Sequence, residues 1–563
     1  MRIIDTERIR IGARLGRGPA IRGGYNPSAM RLPVALLGVA LMTLPVGAQT
    51  RADGIRSISI PDLEDKIGYL ASDQFAGRGD GTAELDRAAE YIADVFRAAG
   101  LQPLGTNGFF QEFRVNRPAL GRGNRVHLER DGVEPVDLRL GTDFVPWTMS
   151  DVSSVSGAMV FAGYGIRAPE LGYDDLEELD LDGKIAVVLE SVPNDRVDDS
   201  LLNQLSDTDY SNTAIKALNV EAAGAVGMVL VQGPASENVT SIGYYARNMR
   251  SGLSPRDAVM DLAPGPRDAS IPVVIVSRGA SSVLVPGLRA LQDRIDQRLA
   301  PQSQPLDGDL TLAVDLAPNG YTAKNVVALV EGTDPDLRDE VIVVGAHYDH
   351  DGRIGARIWN GADDNASGTS GLLELAEAFA VGERPRRSVV LAAWAAEEKG
   401  MLGSRYYVRN PPIPLGRTVA MFQTDMIGRN EEHPADPDEG FLEEVGDDNA
   451  NALNMIGSVF SPTLRRSFES VNQESIGLEL RFRYDYRAEN LIRRSDHWSF
   501  LSAGIPAIFL FGGLHPDYHT PEDTADRINY EKVEKVVELV YLTLLDVGND
   551  PVDPVYVDPS GQQ

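Results

Sequence analysis

Residues 340–350 read EVIVVGAHYDH, a β-branched run that ends on His347, Asp349 and His350. A continuous apolar run of this length, bounded by polar residues, is the pattern of a strand buried on both faces. SGLLELAEAFA (370–380) follows with apolar residues at helical spacing, then SVVLAAWAAEE (388–398), a strand leading into a helix, and TVAMFQTD (418–425), another strand. NVVALVEG (325–332) precedes the set and IPAIFLFGG (505–513) follows it. Tyr530 to Leu545 closes it as a helix. Strands alternating with helices predict an α/β fold, a sheet covered by helices on both faces.

Upstream, Pro61 to Gly100 reads as two helices. In the second, Ala88, Ala89, Ile92 and Phe96 recur on one face and Gly100 supplies the stop. Asn107 to Glu129 looks like short strands. Ser156 to Ser277 has a different rhythm: AMVFAGYG, KIAVVLES, GMVLVQG and PVVIVS are strand-like, with NTAIKALNVEAAGA as a helix between them. That fits a small β-rich module of its own. Pro301 to Gly308 reads as a loop or linker.

The chain has 563 residues, too many for a single core, so roughly two to four domains are expected. With 53 Lys and Arg against 83 Asp and Glu, its net charge is −30, which argues against nucleic acid or an anionic membrane as the main partner. It contains no cysteine, so disulfides, thiolate metal sites and a cysteine nucleophile are excluded. Any zinc must be held by His, Asp and Glu. Six of the seven histidines (His347, His350, His433, His497, His515 and His519) lie in one stretch.

LPVALLGVALMTLP (32–45) is an apolar run too short to span a bilayer comfortably, with Val46-Gly47-Ala48 as a small-residue exit. It predicts a leader and signal peptide over 1–48, an exported protein of the periplasm or exterior, and no stable membrane insertion after cleavage.

Five motifs sit just after the strands of the α/β region: GAHYDH (345–350), GADDNASG (361–368), AAEEKGMLGS (395–404), QTDMIG (423–428) and HPDYHTPEDT (515–524). Open α/β sheets gather ligands at the carboxyl ends of their strands. Each motif alone has a folding explanation: a cap, a buried histidine, a solvated helix start. Together they bring buried carboxylates that would repel one another unless divalent cations neutralise them.

In this order the motifs resemble metallopeptidase family 28, the co-catalytic dizinc exopeptidases that include leucyl-type aminopeptidases and glutamate carboxypeptidases. The resemblance covers Ala323 to Leu545, and LASDQFAGRGDGTAELDRAAEYIADVFRAAGLQPLG (70–105) as a segment packing on the catalytic domain. Ser156 to Ser277 resembles the inserted protease-associated (PA) domain. The expected organisation is a leader at 1–48, an N-terminal segment at 49–150, a PA-like insert at 151–290, a zinc-exopeptidase mixed sheet at 291–550 and a flexible tail at 551–563. The resemblance implies two Zn²⁺ ions, with His347 and Asp425 on one, Glu398 and His519 on the other, and Asp364 bridging. Glu397 matches the general base, and Asp349 the carboxylate that hydrogen-bonds the first histidine. Tyr518 matches an oxyanion-stabilising tyrosine, with a packing or rim role as the alternative. His350 and His515 match no ligand position, and His497 reads as structural.

The expected substrates are peptides and the expected activity is that of an aminopeptidase. Arg493 and Arg494 keep a glutamate carboxypeptidase open, and loss of the metals would leave a receptor-like binding protein. HExxH and GxSxG are absent, so thermolysin-like and serine-hydrolase readings fall away. Arg78-Gly79-Asp80 spells an adhesion tripeptide too short to carry weight.

Overall fold

The computed structural model describes residues 49–558 apart from 117, 149, 170–171, 194–209, 211, 235–241, 243–258, 261–269, 318–319, 433–448 and 487–490. The expected signal peptide and His433 lie outside the described residues. None of the described helices is long and apolar enough to cross a membrane.

Two sheets carry the folded chain. The first is a ten-stranded mixed sheet whose centre is four parallel strands, in the order Ser388–Trp394, Val341–His347, Thr418–Thr424 and Ala507–Phe511. Period-two alternation sends each strand's side chains to two faces. Ile342, Val344 and Ala346 enter one core with the helices Ala83–Ala98, Gly368–Val381 and Tyr530–Asn549. Val341 and Val343 enter another, with Trp394, Tyr407 and Phe500. Both faces are therefore dry, which is why these strands read as unbroken apolar runs. The Ala83–Ala98 helix buries Ala88, Ala89, Ile92 and Phe96 as its spacing predicts, and the Thr82 side chain caps it by accepting from the Leu85 amide.

The second sheet has eight strands: Val133–Asp137, Arg125–Arg130, Gln304–Ala313, Ser154–Phe161, Ile185–Leu189, Gly227–Val231, Val273–Val276 and Phe144–Pro146. The four runs read from Ser156 to Ser277 form its parallel centre. The limits expected at 150/151 and 290/291 cut through this sheet. Gln304–Ala313 lies antiparallel to Arg125–Arg130, Leu310 opposite Leu128 and Leu312 opposite Val126. It also takes up residues expected as a linker, with a register shift between Pro305 and Asp309. A pairing of strands so far apart in sequence leaves no local signal. The tail from 551 is held in its described part: Asp553 meets the buried Arg387 at 2.5 Å, and the Val557 amide donates to the Phe460 carbonyl at 2.8 Å.

Candidate metal centre

The carboxyl ends of the central parallel strands deliver the motifs to one place. His347 is the last residue of its strand, Asp425 follows Thr424, and Glu397 and Glu398 lie just beyond Trp394. Asp364 sits in a distorted turn, Ala362–Ser367, that leads into the Gly368–Val381 helix. Gly361 opens that turn at φ +57°, a conformation that costs glycine little. The turn is pinned from two sides. The Asp363 and Asp364 amides donate to the Asp523 carboxylate at 3.0 and 3.1 Å, and Asn365 Nδ2 donates to the Thr424 carbonyl at 3.0 Å.

Asp364 faces both ways. Its Oδ1 lies 3.2 Å from His347 Nε2, and its Oδ2 lies 3.1 Å from His519 Nε2. His347 Nε2 is also 3.1 Å from Asp425 Oδ1, and His519 Nε2 is 3.4 Å from Glu398 Oε2. All five residues expected as ligands are thus brought together. Asp363 points elsewhere, accepting from the Gly428 amide at 2.6 Å and meeting His515 Nε2 at 3.2 Å. Burial holds His497 neutral, its pKa down to about 3, with its ring against Phe509.

Two expectations change in detail. The Asp349 carboxylate stands 3.9 Å from His347 Nδ1, beyond hydrogen-bond range, and that nitrogen meets the Asp349 main-chain carbonyl at 3.2 Å instead. The carboxylate accepts from the Glu397 and Glu398 amides at 3.0 and 3.2 Å, so it orients the two glutamates. His350, which matched no ligand position, lies inside the cluster with Nδ1 2.8 Å from Glu398 Oε1. Asp351 was also missed: its Oδ2 is 3.2 Å from His519 Nδ1, where it fixes the ring's direction. Both follow Asp349 directly in the chain, and that adjacency was the available signal.

Arg78 is buried and its guanidinium donates to the carbonyls of Tyr348, Leu70, Asn360 and Gly361 at 2.7–2.9 Å. The adhesion-like tripeptide is therefore an internal clamp that ties the N-terminal segment to both metal-side loops.

The charges are badly matched without a cation. Burial lifts the carboxyls of Glu397, Asp425 and Asp349 above the ordinary range. Asp364 is held well below it, because His350, His347 and His519 outweigh its burial. Burial works against charge on His519 too, yet Glu398, Asp351 and Asp364 raise it to about 12. Burial, with Asp364 and the two glutamates, keeps the Tyr518 hydroxyl protonated. Among the described residues, three groups could each hold an ion through donors within 4.8 Å of one another: His347 with Asp364 and Asp425, His350 with Asp364 and Glu398, and Asp351 with Glu398 and His519. Nitrogen and carboxylate donors without sulfur suit zinc. Beside them a cleft is walled by Met426, Leu491, Phe509, Phe511 and Leu514, with Tyr518 and Arg494 also lining it.

Comparison with known proteins places this geometry. Peptidase family M28 matches residues 325–544, and the PA domain matches residues 152–284. Uncharacterized protein YfbL of Escherichia coli (strain K12) is 32% identical over 256 residues, covering 41% of this chain and 73% of that one. Aminopeptidase YwaD of Bacillus subtilis (strain 168) is 28% identical over 226 residues, 39% of this chain, which spans 43% of that relative's length. Among solved structures, an aminopeptidase from Aneurinibacillus sp. strain AM-1 shares the fold, with a TM-score of 0.54 and 20% identity over 90% of this chain and 100% of that one. The chain belongs to peptidase family M28, with a PA domain inserted in it.

Proposed function

We propose that the chain is an exported zinc exopeptidase that removes residues from the amino ends of peptides, and that two zinc ions share its site. The observation that carries the proposal is Asp364, one carboxylate set between two histidines from different strand ends. His347 and Asp425 would hold one ion and Glu398 and His519 the other, with Asp364 common to both. Zinc, when bound, supplies a Lewis acid that polarises the scissile carbonyl and lowers the pKa of the attacking water.

The chain's own residues do the rest. The Glu397 carboxylate takes a proton from the water as its oxygen bonds to the carbonyl carbon, then gives that proton to the departing amine nitrogen as the C–N bond breaks. Burial raises its basicity, as do Asp496, Glu398 and Asp425. Asp349 holds the amides from which Glu397 and Glu398 project. The protonated Tyr518 hydroxyl can donate to the carbonyl oxygen as that oxygen gains charge. The apolar cleft wall excludes water and suits an apolar side chain.

The PA domain, matched over residues 152–284, carries none of these groups among its described residues; it would border the cleft and limit substrate size. Export rests on the apolar run 32–45 with Val46-Gly47-Ala48 after it. On that reading the mature chain would work in the periplasm or outside the cell. Arg494, exposed at the cleft, favours a second reading in which a substrate carboxylate is held, as for a glutamate carboxypeptidase.

Zinc-loaded protein screened with aminoacyl-anilides against N-acyl-glutamates decides between them. Turnover of the anilides is expected. Turnover of acyl-glutamates alone would give the second reading, and protein that purifies without zinc would point to a binding role.

A further inference from the structure

His350 is fully buried and its ring lends its polarity to one side only. Among the described residues Nε2 meets no hydrogen-bond partner, while Nδ1 lies 2.8 Å from Glu398 Oε1 and 3.8 Å from Asp364 Oδ2. The ring stands edge-on to His519, with centroids 5.4 Å apart. Its position is imposed by the backbone. The His350 amide donates to the Arg78 carbonyl at 3.2 Å, and His350 pairs with Gly79 as an isolated bridge. Gly361 makes room for the ring: a Cβ there would stand 2.6 Å from His350 Cδ2.

An imidazole nitrogen this close to a carboxylate oxygen either carries a proton between them or shares a cation with it. Tetrahedral zinc, with bonds of roughly 2.0–2.1 Å, sets its donors about 3.3 Å apart. Asp364 Oδ2 lies 3.8 Å from His350 Nδ1 and 3.1 Å from His519 Nε2, and Glu398 meets the same two nitrogens with its two oxygens, Oε1 at 2.8 Å and Oε2 at 3.4 Å, so the separations bracket that value. We propose that His350 is a metal ligand through Nδ1, a fourth protein donor beside Asp364, Glu398 and His519. The proposal rests on the dizinc reading. Its consequence is an asymmetric pair. The His519 end is closed by four protein donors and holds its ion tightly, while the His347 end keeps a free position and exchanges more readily. Closed four-ligand sites are the structural type, and open ones the reactive type.

The test reads the metal, not turnover. In the full chain, zinc content is followed through a chelator titration, and zinc-edge X-ray absorption counts imidazoles. The unaltered chain is expected to bind two zinc ions that leave in two steps, with three imidazoles shared between them. A folded His350→Ala variant should lose affinity at the tighter position by more than the roughly 10–100-fold that loss of an outer-shell partner costs, and should lose one imidazole from the absorption spectrum. An unchanged imidazole count, or a loss confined to about 10–100-fold, would overturn the proposal and leave His350 as a hydrogen-bond donor to Glu398. Should the alanine variant not fold, His350→Asn takes its place, and two rather than three imidazoles in the unaltered protein would by itself overturn the idea. Binding of fewer than two ions by the unaltered chain would instead bring down the dizinc reading.

Discussion

The M28 half and the inserted domain are built alike: each has a parallel sheet centre, strands buried on both faces and a charged group sealed inside. They differ in whether those charges are closed. In the insert, Lys216 Nζ donates to the carbonyls of Tyr164, Ser191 and Leu189 at 2.6, 2.6 and 3.1 Å. Asp175 accepts from the Tyr164 and Ile166 amides and from the Tyr173 hydroxyl at 2.9–3.2 Å. Each is satisfied by its own fold. At the strand ends of the M28 half, Asp364, Glu398 and Asp425 converge on one another with His347, His350 and His519 set among them. A buried polar group that the fold satisfies is explained by folding; one that it leaves facing its own kind is explained by what must bind there.

Metal removal breaks the comparison most severely. Exhaustive chelation should abolish turnover and lower the unfolding midpoint of the M28 half, because its acids lose their counter-charge, while the insert's transition stays put. Calorimetry alongside an activity assay checks both, and zinc should restore both. Full turnover in chelated protein would dismiss the metal reading.

Next in size is the separation of Glu397 from Glu398. Their amides share one acceptor, Asp349, yet Glu398 Oε2 lies 3.4 Å from His519 Nε2. Glu397→Gln should keep zinc and lose on the order of 10²–10⁴-fold in kcat, with KM little changed. Glu398→Ala should lose zinc first. Near-normal kcat in zinc-replete Glu397→Gln protein would remove Glu397 from the proton path.

These tests bear on residues that could be read from the chain, and the reason is the architecture. Parallel strands dry on both faces appear as unbroken apolar runs, so their ends, and the motifs after them, can be located without a structure. His350 and Asp351 could not be assigned in the same way, since their roles depend on where Glu398 and His519 arrive from distant strands. Arg78 carried no weight in the sequence because nothing local reveals four carbonyls converging on it. The pairing of RVHLER with QPLDGDLTLA left no local signal, because the two stretches lie so far apart in the chain.

In the insert, Lys216→Met should remove a buried donor from the carbonyls of Tyr164, Ser191 and Leu189. The expected cost is at least the roughly 1–3 kcal/mol of one unsatisfied buried acceptor. The insert's melting transition should fall while zinc content and turnover hold. A fall in zinc content in folded protein would show that the two halves are not independent in this respect.

The smallest effect tests whether Asp175 is closed completely. Burial lifts its carboxyl from 3.8 to about 7, against the pull of the Ile166 amide, the Tyr173 hydroxyl, the Tyr164 amide and Lys216. The folded insert therefore keeps a proton that the unfolded chain releases near pH 4. Between about pH 4 and 7 the folded state binds more protons, so this group's contribution to stability falls as pH rises through that window and changes no further above it. The limit is about 1.4 kcal/mol for each unit separating the two pKa values. Asp175→Asn can still accept from both amides but cannot titrate. The unfolding midpoint of the unaltered insert minus that of the variant should therefore fall from pH 4.5 to 7 and then level off. A difference that does not vary with pH would mean that Asp175 is ionised throughout, as fully closed as Lys216, and that the carboxylates of the metal cluster alone are left unbalanced by the fold.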